Sequence, residues 1–318
     1  MRITNVILSF IQINRKRRIR KLFLTLPDFH GITLIDIGAA GDIEPRWRII
    51  PEYLKYVGFE PDSRSVSEII NRKLECREYM VHPIAIWDID GSFPIHILKK
   101  AGLSSFFPPN RSFLNNFPDS QRLNLSHIES IDCVKLDSLE IVDPDFIKID
   151  IQGGELHALS GAKDTLQYCL GIELEVEFEE IYLGQPLFGE ISKNLHEMGF
   201  EFYDFINLCR WERDSHKRLG QLVFGDALFL KTPEYFLNTQ PGNQKLSNYL
   251  GVLALYNRFD LIDVVKEKLN ESQKIAFREF FKNTRKFRKE FNRINLITGK
   301  LSVLLKTLSP TLGLHLLH

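Results

Sequence analysis

Long apolar runs are missing from this 318-residue chain, and no stretch approaches the ~18 uninterrupted apolar residues of a membrane span. Cysteine is scarce. Cys76, Cys133, Cys169 and Cys209 lie far apart, with no C-x-x-C and no histidine pair at metal spacing, so neither a disulfide framework nor a zinc site is expected. They read as reduced thiols of a cytoplasmic protein. Net charge is missing as well: 41 Lys and Arg balance 41 Asp and Glu, which removes any global pull toward nucleic acid or an anionic surface. Locally the balance fails. Arg15-Lys16-Arg17-Arg18-Ile19-Arg20-Lys21 is a basic run, and residues 274–293 carry many more Lys and Arg than Glu. Each suits a solvated helix face or a surface that meets phosphates, of lipid or of a nucleotide-linked substrate. The first run follows the apolar residues of 1–13 instead of preceding them, the reverse of a secretory signal. Residues 6–24 fit an amphipathic helix, lying on a membrane or packed on the core.

What the chain does have is an apolar run ending in a small-residue turn, Leu34-Ile35-Asp36-Ile37-Gly38-Ala39-Ala40-Gly41-Asp42, and a second ending in acid, Tyr56-Val57-Gly58-Phe59-Glu60-Pro61-Asp62. A doubly wound sheet holds an adenosine-containing cofactor in this way. Glu60 lies near the position, roughly 20 residues past such a turn, where a carboxylate accepts the ribose hydroxyls. The G-x-G-x-x-G triplet of a dinucleotide site is absent. A diphosphate needs backbone amides free of negative charge, and Asp36, Asp42 and Glu44 crowd this turn. A cationic cofactor such as S-adenosylmethionine, with a sulfonium and no phosphate, fits better than a nicotinamide dinucleotide.

Apolar and turn patterns alternate from about residue 32 to residue 230, which predicts a mostly parallel α/β sheet. Helical spacing is expected over Pro45–Leu54, strand over Tyr79–Ile86, and a hairpin turn at Asp88-Ile89-Asp90-Gly91 leading into Phe93–Leu98. Residues 99–125, with Gly102, Ser104, Ser105 and three prolines, read as a long loop of the kind that covers a site. Further strands are expected at Ile131–Leu136, Asp145–Ile151 and Leu170–Phe178, helices at Glu155–Gln167 and Phe188–Met198, and a terminal strand pair at Gly199–Ile206 and Gln221–Leu230. Past a linker at Pro233–Asn243, strand signals stop, and Leu246–Leu269 and Ile275–Leu305 have heptad-like apolar spacing.

Carboxylates collect where strands end: Asp36, Glu60, Asp62, Asp150, Glu155, Glu173 and Glu175. In Lys148-Ile149-Asp150-Ile151-Gln152-Gly153-Gly154-Glu155 two glycines between strand and helix permit close approach of a bound group. Asp150 and Glu155 are the candidate catalytic acids, suited to orienting a substrate, taking a proton from a hydroxyl, or holding a divalent cation with Glu173. Glu155 equally suits a helix N-terminus, and Glu173 a Lys or Arg partner across the sheet. His82 and His157 are alternative bases.

Asp36-Ile37-Gly38-Ala39, Phe59-Glu60-Pro61-Asp62, Ala85-Ile86-Trp87 with Asp90-Gly91, Val134-Lys135-Leu136-Asp137, and Ile147-Lys148-Ile149-Asp150-Ile151-Gln152-Gly153-Gly154-Glu155 with Leu159 and Gly161-Ala162 together resemble the FkbM family of S-adenosylmethionine-dependent methyltransferases. The match runs from about residue 32 to residue 230. The first loop is one residue shorter than the commoner G-A-x-x-G form, and Gln152 stands where a Glu is frequent, so no metal is expected. The resemblance implies a Rossmann-like class I methyltransferase with an antiparallel terminal strand, and O-methylation of a hydroxyl on a sugar, glycolipid or related metabolite. It implies that Asp36, Gly38, Ala39 and Gly41 line the methionine moiety, Glu60 the ribose, and Asp62, Ala85 and Ile86 the adenine side, with Pro61 also binding cofactor. Ser104 and Ser105 would close on the cofactor.

The domain expectation is a basic amphipathic segment at 1–30, a methyltransferase domain at 31–232 and a helical appendage at 243–318. Expected partners are a glycan, glycolipid or small-molecule acceptor and no nucleic acid, with peripheral membrane contact through the basic segments and self-association through the heptad-like ends. The competing reading is a non-catalytic module that binds S-adenosylmethionine and recruits a partner through its helical end.

Overall fold

The structure, a computed structural model, describes residues 16–71, 75–141, 143–214 and 220–289. The chain divides into two compact units, one of His30–Val252 and one formed by the residues up to Phe29 with those from Leu253 onward.

The larger unit is built on a seven-stranded sheet. Its strands are β1 (Ile32–Ile37), β2 (Leu54–Phe59), β3 (Glu78–His82), β7 (Phe146–Ile149), β8 (Gly171–Glu177), β9 (Phe200–Trp211) and β10 (Gln221–Lys231), in the order β3-β2-β1-β7-β8-β10-β9. The pairs among β3, β2, β1, β7 and β8 are parallel, whereas β10 is antiparallel to both of its neighbours. This is the class I methyltransferase architecture expected from the sequence. Central strands covered on both faces read as near-continuous apolar runs, and every residue of β1 and β8 is buried. The order in which successive strands are added reverses between the parallel neighbours β1 and β7, which opens a crevice at the strands' carboxyl ends.

Three remaining strands, β4 (Ala85–Ile86), β5 (Gly91–Leu98) and β6 (Leu125–Val134), form a separate sheet in the order β4-β6-β5. Two expectations fail here. The run Tyr79–Ile86 is split, with β3 in the large sheet and β4 in the small one, because Pro83 cannot donate to a ladder. Asp88–Gly91 does not close a hairpin, because β6 inserts between β4 and β5 and pairs with both.

Local geometry explains two other departures. Pro45–Leu54 forms two single 3-10 turns, Trp47–Ile49 and Pro51–Tyr53, since Pro51 interrupts any continuous helix. The expected helix Glu155–Gln167 is broken into Glu155–Ser160 and Lys163–Tyr168. At the break a Cβ on Gly161 would lie 1.9 Å from the Trp87 carbonyl oxygen. The segment 99–125 contains the short helices Arg111–Leu114 and Ser120–Leu123. Among its described residues the second unit forms helices and no strands, at 16–23, Phe259–Lys268, Glu271–Ala276 and 278–289. The expected helices at 6–24 and Ile275–Leu305 lie partly outside the described residues.

Asp145, only 1% exposed, stands one residue ahead of β7 and organises the amino ends of the central strands. Its carboxylate accepts from the Thr33 amide at 3.0 Å, from Asn248 Nδ2 at 3.0 Å and from Lys245 Nζ at 2.8 Å. Removing one partner of a buried ionic cluster leaves the others unsatisfied. We expect Asp145→Ala to cost about 3 kcal/mol of unfolding free energy, read as a lower midpoint in urea at unchanged slope.

Candidate active site

The crevice begins at the turn after β1. Gly38 has φ +85°, and a Cβ there would sit 1.8 Å from the Asp150 carbonyl oxygen. Its amide and that of Ala39 both donate to the Phe59 carbonyl, at 2.9 and 3.0 Å, while the Asp150 amide donates to the Ile37 carbonyl at 2.9 Å. Three strand ends are thereby drawn onto one glycine.

At the end of β2, Glu60 is buried and lines the crevice. Burial pushes its carboxyl up to about 7, opposed by the Asp62 amide and reinforced by the charges of Asp62, Asp150 and Asp36. Asp62 caps the helix Ser63–Asn71 through the Arg64 amide, at 3.0 Å, and grips the Arg64 guanidinium, with Nε 2.9 Å away. That guanidinium outweighs burial and holds Asp62 below its ordinary value. Arg64 also donates to the Leu98 carbonyl at 2.9 Å and to Ser104 Oγ at 3.2 Å, tying the segment after β5 to the β2 side.

The far wall is the turn after β7. Asp150 lines the crevice with its side chain 34% exposed, 3.5 Å from Lys148 Nζ. Gln152, in the left-handed region at φ +57°, donates through Nε2 to Asp150 Oδ1 and Glu175 Oε1, each at 3.0 Å. The Tyr182 hydroxyl donates to Gln152 Oε1 at 2.8 Å, and Ser105 Oγ donates to the Gln152 carbonyl at 2.7 Å. One residue, through its side chain and its carbonyl, thus ties the strand-end turn to both flanking segments. Glu155 is fully buried and accepts from the Ile151 and Gly153 amides at 3.0 and 3.3 Å.

Carboxylates dominate the electrostatics. Burial raises Asp36 against the opposing pull of Lys148 and the Tyr56 hydroxyl, which donates to Asp36 Oδ2 at 2.8 Å. Burial, with the charges of Asp150 and Glu173, pushes Asp226 up to about 6. The cations Arg64 and Lys148 are already committed to Asp62 and to Asp36 with Asp150. A diphosphate would meet like charge here, whereas a sulfonium meets opposite charge.

Of the residues expected to hold cofactor or carry chemistry, Gly38, Glu60, Pro61, Asp62, Ala85, Ile86, Ser104 and Asp150 line one crevice. The others do not line it. Asp36 is sealed by Tyr56 and Lys148, and Ala39 is buried in the turn. Gly41 has open space around it, Ser105 bridges to the Gln152 backbone, and Glu155 holds the glycine turn. His157 stacks on Trp87 at 4.2 Å and meets Asp88 at 2.8 Å, and His82 stacks on Phe59 at 5.1 Å, so neither ring lines the crevice. Glu173 pairs with Arg46 at 3.1 Å. Among the described residues no group of three or more His, Cys, Asp or Glu is arranged to hold a metal ion. Sequence reasoning missed the apolar lining of Phe59, Ile95, Gly102 and Phe106, and the hub formed by Gln152 and Tyr182. The alternation of β5 was the available signal for Ile95; nothing local to residue 182 marks its tyrosine.

Residues 45–202 match the family model described as Methyltransferase FkbM domain. Among solved structures the chain is similar to Methyltransferase FkbM from Methylobacillus flagellatus KT, at 14% identity and a TM-score of 0.36, over 63% of this chain and 44% of that one. It is also similar to magnesium protoporphyrin IX methyltransferase (ChlM) from Synechocystis PCC 6803 with bound SAM, at 7% identity and a TM-score of 0.33, over 70% and 82% of the two chains. M. jannaschii TYW2 in complex with AdoMet is similar at 12% identity and a TM-score of 0.28, over 69% and 75%. The chain therefore spans less than half the length of the Methylobacillus protein. No curated protein matches the sequence.

The closeness at Gly38 gives a direct test. Gly38→Ala places a methyl group inside the Asp150 carbonyl at a φ that disfavours side chains, and we expect it to cost about 3 kcal/mol in chemical denaturation. A loss below about 1 kcal/mol would mean that the two turns do not meet as described.

Proposed function

Because the chain belongs to the FkbM methyltransferase family through residues 45–202, we propose that it methylates a hydroxyl oxygen on a sugar, glycolipid or related metabolite, with Asp150 as general base. S-adenosylmethionine is the cofactor, and it supplies an electrophilic methyl carbon on a cationic sulfur. The residues present fit that group. Glu60 would accept the ribose hydroxyls, Phe59, Ile86, Ile95 and Phe106 would enclose the adenine, and the Gly38 turn with Asp150 would face the cationic end.

The observation that carries the reading is the placement of Asp150. It is a partly exposed carboxylate on the crevice wall, gripped on one oxygen by Gln152 and neighboured by Lys148. A fixed carboxylate can take the proton that an alcohol must lose as its oxygen is alkylated, and methyl transfer otherwise demands mainly alignment and exclusion of water. A cytoplasmic setting, in which the four unpaired thiols stay reduced, belongs to the same reading.

Two measurements test it. With methyl-labelled cofactor and a native glycan and lipid extract, label should enter an alkali-stable ether. Asp150→Asn should slow that transfer by about 10²–10⁴-fold while leaving cofactor affinity within a few-fold. Cofactor binding with no labelled product in any fraction would favour the interaction-module reading instead.

Glu60 adds a pH signature. The ribose hydroxyls donate best to its ionised form, and its folded-state carboxyl titrates at about 7 against an ordinary value of 4.5. Affinity therefore rises as pH climbs through 7, by about tenfold between pH 6 and pH 8. In apo-protein stability the sign is opposite, because a raised acid contributes stability below pH 4.5 that is lost as pH rises through about 7. Titration calorimetry should show the affinity slope in the wild type and a weak, flat profile in Glu60→Gln.

A further inference from the structure

In the smaller unit the helical residues 278–289 bury one side and charge the other. Phe277, Phe280, Phe281, Thr284 and Phe287 are buried, at the spacing of an inward face. The opposite side helps to form a groove in which seven of the eight lining residues are Lys or Arg, among them Lys266, Lys274, Arg278, Lys282, Arg285 and Lys289. The eighth is Phe281, and among the described residues no carboxylate lines the groove. Lys274 and Lys282 have Glu271 and Glu279 beside them, at 3.1 and 3.5 Å. Arg278, Arg285 and Lys289 have no carboxylate partner among the described residues.

Unpaired cations crowded on one face repel each other, which disfavours the bare surface unless polyanionic charge meets it. The groove does not resemble a nucleic-acid stacking platform. Its aromatic ring, Phe281, is only 6% exposed and already packs near Phe277 and Phe280, so it offers no face to a base. Next to Lys274 in sequence, Ile275 is 61% exposed and presents an apolar side chain to solvent. An aliphatic side chain set among basic ones matches a lipid interface, where the chain enters the acyl boundary and the cations meet headgroup phosphates.

We propose that the basic groove of residues 266–289 docks the protein on an anionic phospholipid surface. Full-length protein should co-sediment with phosphatidylcholine vesicles that contain phosphatidylglycerol, remain in the supernatant with pure phosphatidylcholine, and release as salt is raised. The triple variant Arg278→Glu, Arg285→Glu, Lys289→Glu should lower the vesicle partition coefficient by roughly a hundredfold, with melting temperature and S-adenosylmethionine affinity unchanged. If charge reversal unfolds the unit, the corresponding triple glutamine variant carries the same expectation with a smaller loss. The proposal is overturned if wild-type protein ignores anionic vesicles, if a folded variant binds them as well as wild type does, or if single-stranded RNA at equal phosphate concentration displaces the protein from them.

Discussion

One backbone contact positions everything at the crevice: the passage of Gly38 across the Asp150 carbonyl. A side chain cannot fit between the two turns, so the chain closes there without one. The Gly38 and Ala39 amides then reach the end of β2, and the Asp150 amide reaches the end of β1. Glu60 and Asp150, remote in sequence, become opposite walls of one opening because their strands flank β1 and terminate at the same height. A carboxylate placed by hydrogen-bonded strand ends has little freedom to wander, which is the condition a base or a ribose acceptor must meet.

Gathering that much negative charge is costly unless each group is held. The solutions differ from residue to residue. Asp36 has a phenol and a lysine, Asp62 an arginine fork and a helix amide, and Glu155 two amides of the turn that it closes. Glu60 has the Asp62 amide and retains a raised pKa. What remains unneutralised is a field that favours a cation in the crevice, so the cofactor's positive sulfur and the acids of the site suit each other.

The parts of this arrangement written locally were readable. Buried parallel strands are apolar runs, their ends are marked by glycine or acid, and the sequences around Asp36, Glu60 and Asp150 could be placed at carboxyl ends for that reason alone. Pairing between remote strands was not local. Asp90-Gly91 carries the dipeptide of a hairpin, yet β6 takes the position between β4 and β5 because Ile131 and Cys133 bury against Trp87, Ile95 and Ile97. The helix expected through Gly161 has suitable composition, yet it breaks where the Trp87 backbone passes so close to that glycine that no side chain would fit. Tyr182 and Gln152 meet across a long sequence separation, and Asp145 finds Lys245 and Asn248 a hundred positions on. No spacing rule reaches so far.

The glycine turn after β7 shows how one short sequence divides its acids. Asp150 and Glu155 stand five residues apart, and composition alone makes them equal candidates for chemistry. Folding separates them. Glu155 turns inward, where the Ile151 and Gly153 amides saturate one oxygen and water has no access, so it shapes the loop that carries its neighbour. Asp150 keeps a third of its side chain open, is steadied by an amide instead of consumed by several, and faces the crevice. A base must be both held and reachable, and of the two only Asp150 is. Gln152 strengthens this division, since its amide has no proton to lose at neutral pH and holds Asp150 and Glu175 together without itself becoming an acid or base.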